Sequence, residues 1–222
     1  MRIMDLSQYQ KINEGTESNI YLKDKKTIIK IYKNPENYND KKINELINRQ
    51  KFIKHTKMPI KPLYENEKLI GCLLHYYKDY EQIDTIKFKK DQQLKIKILE
   101  RLGRKLQELT DNYIYHNDLY PQNILINKKQ VEIIDLDGQY SKIKNTYDSN
   151  ELKKVLEQYR ELILYVLYED FTYDSFYLNK VETIKKCEIN NYDINLLFDK
   201  KFNYENANVF LNKKKKEKIK SI

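Results

Sequence analysis

His116-Asn117-Asp118-Leu119-Tyr120-Pro121-Gln122-Asn123, followed by Ile133-Ile134-Asp135-Leu136-Asp137-Gly138, is the stretch on which the reading of this chain turns. Between the two segments lie an apolar run, Ile124-Leu125-Ile126, and a polar Lys128-Lys129-Gln130 turn. Apolar β-formers on either side of a polar turn predict a hairpin, entered from a loop, with Asp118, Asn123 and Asp135 at its mouth. That donor set suits phosphoryl chemistry. One carboxylate can orient a hydroxyl nucleophile while an amide and a second carboxylate hold Mg2+ on the phosphates of a nucleotide. The plainer reading is a polar surface hairpin that carries acids by coincidence.

Working outward, Gln92 to Asp111 predicts a helix that runs straight into this loop. Ile98, Leu99, Leu102, Leu106 and Leu109 recur at helical spacing, and Gly103 allows a neighbour to come close. Downstream, only Gln139 to Tyr147 precede Asp148-x-x-Glu151, which resembles a capping box. It opens a helix through Leu152, Val155, Leu156, Tyr159, Leu162, Ile163 and Val166. Residues 8–33 alternate as strands: Tyr9–Ile12, Ile20–Leu22 and Thr27–Tyr32, with Gly15 in the first turn. Lys30 lies between Ile29 and Ile31, where an unpaired ammonium is costly, so a carboxylate or phosphate partner is expected. Alternation also permits a Lys on the solvent face of an edge strand. Lys41–Lys54 reads as a helix with Ile43, Leu46, Ile47 and Ile53 on its apolar side. Pro59–Leu63 and Leu69–Leu74 add two strands, and His75–Asp79 a connector. Residues 170–222 suggest two or three short helices, one of them around Asp193 to Lys201.

These residues also carry a resemblance. His116-x-Asp118-x-x-x-x-Asn123 ahead of Asp135-Leu136-Asp137-Gly138 resembles the catalytic and metal loops of the protein-kinase-like superfamily. Gly15-x-Glu-Ser-Asn-Ile-Tyr, followed by Ile-Ile-Lys30-Ile-Tyr-Lys, is similar to the nucleotide loop and third strand of the atypical RIO kinases. The resemblance implies an α+β, two-lobed kinase-like fold. Residues 1–77 would form an ATP-binding lobe, a five-stranded antiparallel sheet with one helix, and residues 78–222 a mainly helical lobe. ATP and Mg2+ are the implied cofactors. Gly15, Thr16 and Ser18 would cover the phosphates, with Lys30 on the α/β-phosphates and Glu45 of the helix paired to Lys30. Leu74, His75 and Tyr77 would meet the adenine, Asn123 and Asp135 the metal, and Asp118 the acceptor hydroxyl. His116 would be structural.

The departures from the family pattern matter as much. The nucleotide loop has one glycine, not three, and Arg49 stands where the helix usually presents an apolar residue. Tyr120 replaces the Lys that Ser/Thr protein kinases carry two residues after the catalytic Asp, and no long activation segment ending in Ala-Pro-Glu is present. Asp137 stands where the ordinary motif has glycine. It reads as a solvent-facing turn residue, an added metal ligand being the other reading. Together these point to a compact atypical Ser/Thr protein kinase, autophosphorylating or acting as an ATPase, with a protein substrate. A small-molecule kinase of aminoglycoside or choline-kinase type and a non-catalytic kinase-fold binding protein are the alternatives.

Composition sets the outer bounds. The chain has 222 residues, enough for one domain or two small lobes sharing a cleft. Its 42 Lys and Arg against 33 Asp and Glu give +9, an excess short of a dedicated nucleic-acid arm. Lys213 to Lys216 reads first as a solvated basic tail, and second as a contact for acidic protein, RNA or a membrane surface. Cys72 and Cys187 are far apart and in no metal spacing, which fits a reducing, cytoplasmic setting. No secretory pattern and no apolar run long enough to span a bilayer are expected.

Overall fold

The computed structural model describes residues 5–128, 130–168, 171, 180–189, 195–199 and 201–219. Five strands come first: β1 (Gln10–Glu14), β2 (Ser18–Asp24), β3 (Thr27–Tyr32) and, after helix α1 (Asp40–Arg49), β4 (Lys61–Glu65) and β5 (Lys68–His75). They form one antiparallel sheet of five strands, as the resemblance implies, in the order β1-β2-β3-β5-β4. β3 is therefore interior. Lys30 pairs in register with Ile20 on one side and Cys72 on the other, which removes the edge-strand reading of that lysine.

Helix α1 starts where Asn39 caps it, the side-chain oxygen accepting from the backbone amide of Lys41 at 2.9 Å. Ile43 and Leu46 are its buried face. It ends earlier than the apolar spacing suggests, passing into a 3-10 turn at Gln50–Phe52. Gln50 explains the stop. Its amide nitrogen donates to the carbonyl oxygens of Ile53 and Thr56 at 2.7 and 3.1 Å, and its oxygen accepts from the Met58 amide at 2.8 Å. Those local bonds satisfy backbone groups that a longer helix would otherwise use.

The rest is mainly helical. After a short strand β6 (Glu81–Gln82) comes α2 (Gln92–Asp111), capped by Asp91, and then β7 (Ile114–His116). β8 (Ile124–Ile126) and β9 (Val131–Ile133) form the expected hairpin, and β10 (Ser141–Ile143) pairs back onto β7. α3 (Ser149–Leu167), α4 (Lys180–Ile189) and α5 (Tyr204–Ile219) follow. Ile98, Leu99, Leu102 and Leu106 of α2, Val155, Tyr159 and Ile163 of α3, and Ala207, Phe210 and Leu211 of α5 share one buried core.

Two expectations are corrected. Residues 195–198 form a turn, not a helix, while residues 193, 194 and 200 lie outside the described residues. Lys213 to Lys216 is not a loose tail but part of α5, because Ala207, Phe210 and Leu211 bury one face of that helix and carry the helical backbone through the basic run. Among the described residues no helix is long and apolar enough to cross a membrane.

Candidate active site

A cavity of about 580 Å³ opens between the sheet and the β8–β9 hairpin. Ile12, Ile20, Ile28 and Leu74 line it from the sheet, and Leu125 and Ile133 from the hairpin. This is the size and the mixed apolar and polar lining of a small-molecule site. Gly15, Thr16, Ser18, Lys30, Leu74, His75, Tyr77, Asp118, Asn123 and Asp135 all border it. Residues scattered from position 15 to position 135 are thus brought to one space.

Local chemistry fixes the two loops. The Asn123 side-chain amide donates to the Asp118 carboxylate at 2.8 Å and to the Asp118 carbonyl at 3.0 Å, locking amide to acid. The remaining amide oxygen is the atom that can ligate a cation. Behind them Gln158 of α3 grips the loop on both sides of Asp118. It accepts from the Leu119 amide at 3.1 Å and donates to the Asn117 carbonyl at 3.0 Å. Glu151 accepts from the Asn117 side chain. The capping box is therefore only half formed: Asp148 caps α3, while Glu151 serves the loop instead.

Asp135 has a left-handed backbone, φ 64°, an uncommon conformation for a residue with a Cβ. The turn closes with the Gly138 amide donating to the Asp135 carbonyl at 3.0 Å. A Cβ at Gly138 would lie 2.7 Å from the Asp135 carboxylate, so a larger residue there would push that carboxylate out of place.

Lys30 is 5% exposed and carries two acids, Asp135 and, at 2.9 Å, Asp137. Burial disfavours its charge, but the two carboxylates outweigh burial and hold the amine above the usual lysine range. Asp137 is lowered from its ordinary value despite burial, because Lys30 and the Tyr32 hydroxyl favour the anion. Asp135 is raised, chiefly by burial, and Asp118 is raised by burial and then by the charge of Asp135. Lys42 of α1 donates to the Gly138 carbonyl and is lowered to about 8 by burial. His116 is 1% exposed and lowered to about 3 by burial, so it is neutral; its Nδ1 meets the Ser141 hydroxyl at 2.6 Å, joining β7 to β10.

Glu45 does not join this cluster. Its carboxylate pairs with Arg49 one turn along α1, and Arg49 in turn donates to the carbonyls of Asn112 and Lys144, the latter at 2.8 Å. The expected Lys30–Glu45 pair is corrected for that reason: the helix arginine takes the acid. Asp137 is corrected too. It is 3% exposed, bonded to Lys30 and Tyr32, and not a solvent-facing turn residue. Sequence reasoning also missed Tyr32, Gln158 and Lys42. A usable signal existed for the first: Lys30-x-Tyr32 on a strand puts both side chains on one face, opposite Asp135-x-Asp137. Nothing local marks Gln158.

The donor set fits a Mg2+-nucleotide. Among the described residues no three His, Cys, Asp or Glu side chains form a closed metal site. One carboxylate and one amide beside a roomy cavity are what an ion needs when phosphates and water complete its shell.

Residues 73–172, from the end of β5 to just beyond α3, match the family model of the lipopolysaccharide kinase (Kdo/WaaP) family. No curated protein matches the chain. Among solved structures the chain is similar to the kinase PK-1 of the Cydia pomonella granulovirus. The TM-score is 0.57 at 18% identity, over 81% of this chain and 78% of that one. That likeness is one of fold, a two-part α+β kinase architecture. Together the findings support a phosphotransferase of the protein-kinase-like superfamily.

Proposed function

We propose that the chain transfers the γ-phosphoryl group of ATP, with Mg2+, to a hydroxyl acceptor, foremost a Ser or Thr hydroxyl of a protein. One observation carries the reading: Lys30, Asp118, Asn123 and Asp135 border a single cavity that the Gly15 turn also lines. In this reading residues 1–77 are the nucleotide lobe and residues 78–222 the acceptor and metal lobe. The short Gln139–Tyr147 connection and the single glycine of the nucleotide loop favour a compact, RIO-like branch.

Each residue then has a physical task. Ile20, Ile28, Leu74 and Leu125 bury the base, and backbone groups of His75 to Tyr77 read its edge. The Gly15 turn, closed by its own amide donating to the Ser18 carbonyl at 2.9 Å, covers the phosphates. Lys30 holds the α/β-phosphates. Asn123 and Asp135 would hold Mg2+, which when bound neutralises charge between the β- and γ-phosphates. Asp118, fixed by Asn123 and by the Gln158 grip on its loop, orients the acceptor hydroxyl and takes its proton late. Positioning and fixed charge supply most of the barrier lowering such a reaction needs.

A second reading rests on the family match to lipopolysaccharide kinases over residues 73–172: the acceptor hydroxyl belongs to a saccharide. The full chain incubated with γ-labelled ATP and Mg2+, with protein extract or with saccharide acceptors, separates the two by where label appears. Lys30→Ala and Asp118→Ala should each lower transfer by about 10²–10⁴ with the circular dichroism spectrum unchanged. Either variant working as well as the wild type removes the proposal.

A further inference from the structure

Lys30 has two carboxylates, and they differ in kind. Asp135 is still 25% exposed at its side chain and sits on a left-handed turn facing the cavity. The Asp137 side chain is 1% exposed. One of its oxygens, Oδ2, receives the Lys30 amine at 2.9 Å, the Tyr32 hydroxyl at 2.9 Å and the Cys72 thiol at 3.7 Å. Tyr32 is itself immobilised, its ring stacked on Tyr38 at 3.6 Å between centroids and 6° between planes. The Lys30 amine lies 5.7 and 5.9 Å from those two ring centroids, so the aromatic pair also favours its charge. The helix that could have supplied an acid gives its glutamate to Arg49.

Resting on the phosphotransfer reading, we infer that Asp137 is the positioning residue for Lys30, the acid that keeps the amine aimed at the phosphates once Asp135 turns to the metal. A buried lysine must keep a counter-charge throughout the cycle. Asp135 cannot be that charge and also a metal ligand at full strength. Asp137 can, because nothing in its enclosure lets it leave: β3 supplies Lys30 and Tyr32, β5 supplies Cys72, and the turn supplies the acid. The two acids thus divide the work, one cavity-facing and free to serve a metal, one enclosed and lysine-facing. Tyr32 sets the enclosed one.

The test measures binding of a fluorescent ATP analogue to the full chain, in EDTA and in Mg2+. Asp137→Asn is expected to weaken binding about tenfold in both media, and to add nothing further in a Lys30→Met background. Glu45→Gln should bind like the wild type. A loss for Asp137→Asn that needs Mg2+ would make Asp137 a metal ligand and overturn the inference, as would wild-type affinity in EDTA or full additivity with Lys30→Met. Should Asp137→Asn fail to fold, Tyr32→Phe removes the hydroxyl that holds the acid. A several-fold loss in EDTA supports the inference, and none refutes it. Wild-type chain that binds no nucleotide at all takes down the phosphotransfer reading first and this inference with it.

Discussion

Arg49 makes two of the bonds that tie α1 to the helical part of the molecule, and removing it should cost stability in a way that can be apportioned. The side chain is 16% exposed, and it reaches two main-chain carbonyls, Asn112 at the end of α2 and Lys144 just past β10. Arg49→Ala leaves both acceptors partly buried without a donor, at about 1–1.5 kcal/mol each with partial rehydration. The Glu45 pair adds little, since that carboxylate is 42% exposed and an exposed pair along a helix is worth about 0.3–0.5 kcal/mol. The sum is about 2–4 kcal/mol, or about 4–16 °C in Tm for a chain of this size. Arg49→Lys offers no planar fork and can satisfy one carbonyl, so about half the loss should return. Glu45→Gln should stay within about 0.5 kcal/mol. Urea titration and thermal melts of the three variants decide the matter. If Arg49→Ala lies within 0.5 kcal/mol of the wild type, roughly the scatter of surface substitutions, the carbonyl clamp does not hold α1. If Glu45→Gln costs as much as Arg49→Ala, the weight lies in the ion pair instead.

Two further outcomes follow from the core and from an acid away from the cavity. Gly103→Ala should gain up to about 1 kcal/mol of helix propensity, yet its Cβ would lie 2.9 Å from Cζ of the fully buried Tyr159 and closer still to the hydroxyl. Overpacking of about 1–3 kcal/mol, plus a weakened bond from that hydroxyl to the Leu99 carbonyl at 2.8 Å, should win. A lowered urea midpoint, partly restored by adding Tyr159→Phe, is the expected result, and a stabilised Gly103→Ala would contradict it. Glu161 is raised to about 7 by burial, against Arg160 and with Glu157 adding to it. The folded state therefore binds a proton that the unfolded chain gives up near pH 4.5, so the stability Glu161 contributes at low pH is lost as pH rises through 7. Glu161→Gln should melt above the wild type at pH 8 and converge with it near pH 5. A gap that does not change with pH would show that this carboxyl does not titrate there.

Local pattern made the scaffold legible. Alternation on β2 and β3, the leucine and isoleucine spacing of α2 and the apolar pairs flanking the Lys128–Gln130 turn each encode their own element, because a strand or helix face is decided within a few residues. The acid–amide–acid spacing around the β8–β9 hairpin was equally readable. What escaped was every contact that depends on how one element is rotated against another. Glu45 has the right type and place on α1, but a helix arginine four residues on competes for it, and that competition is settled by two carbonyls more than sixty residues away in sequence. Asp137 looks like a turn acid beside Gly138, and only the arrival of Lys30 and Tyr32 from β3 makes it interior. Gln158 carries no motif at all, since a helix glutamine becomes a loop clamp only once α3 is docked.

The pairing of β10 with β7 has a consequence for control. Ser141 to Ile143 are zipped onto Ile114 to His116, and Lys144 donates from its amide to the Tyr113 carbonyl at 3.0 Å, directly after the Asp135 turn. Switching by a covalent mark works where a strip of chain has slack enough to swing between two poses. Here the strip is fastened almost as soon as it begins, which takes up the slack such a swing would need.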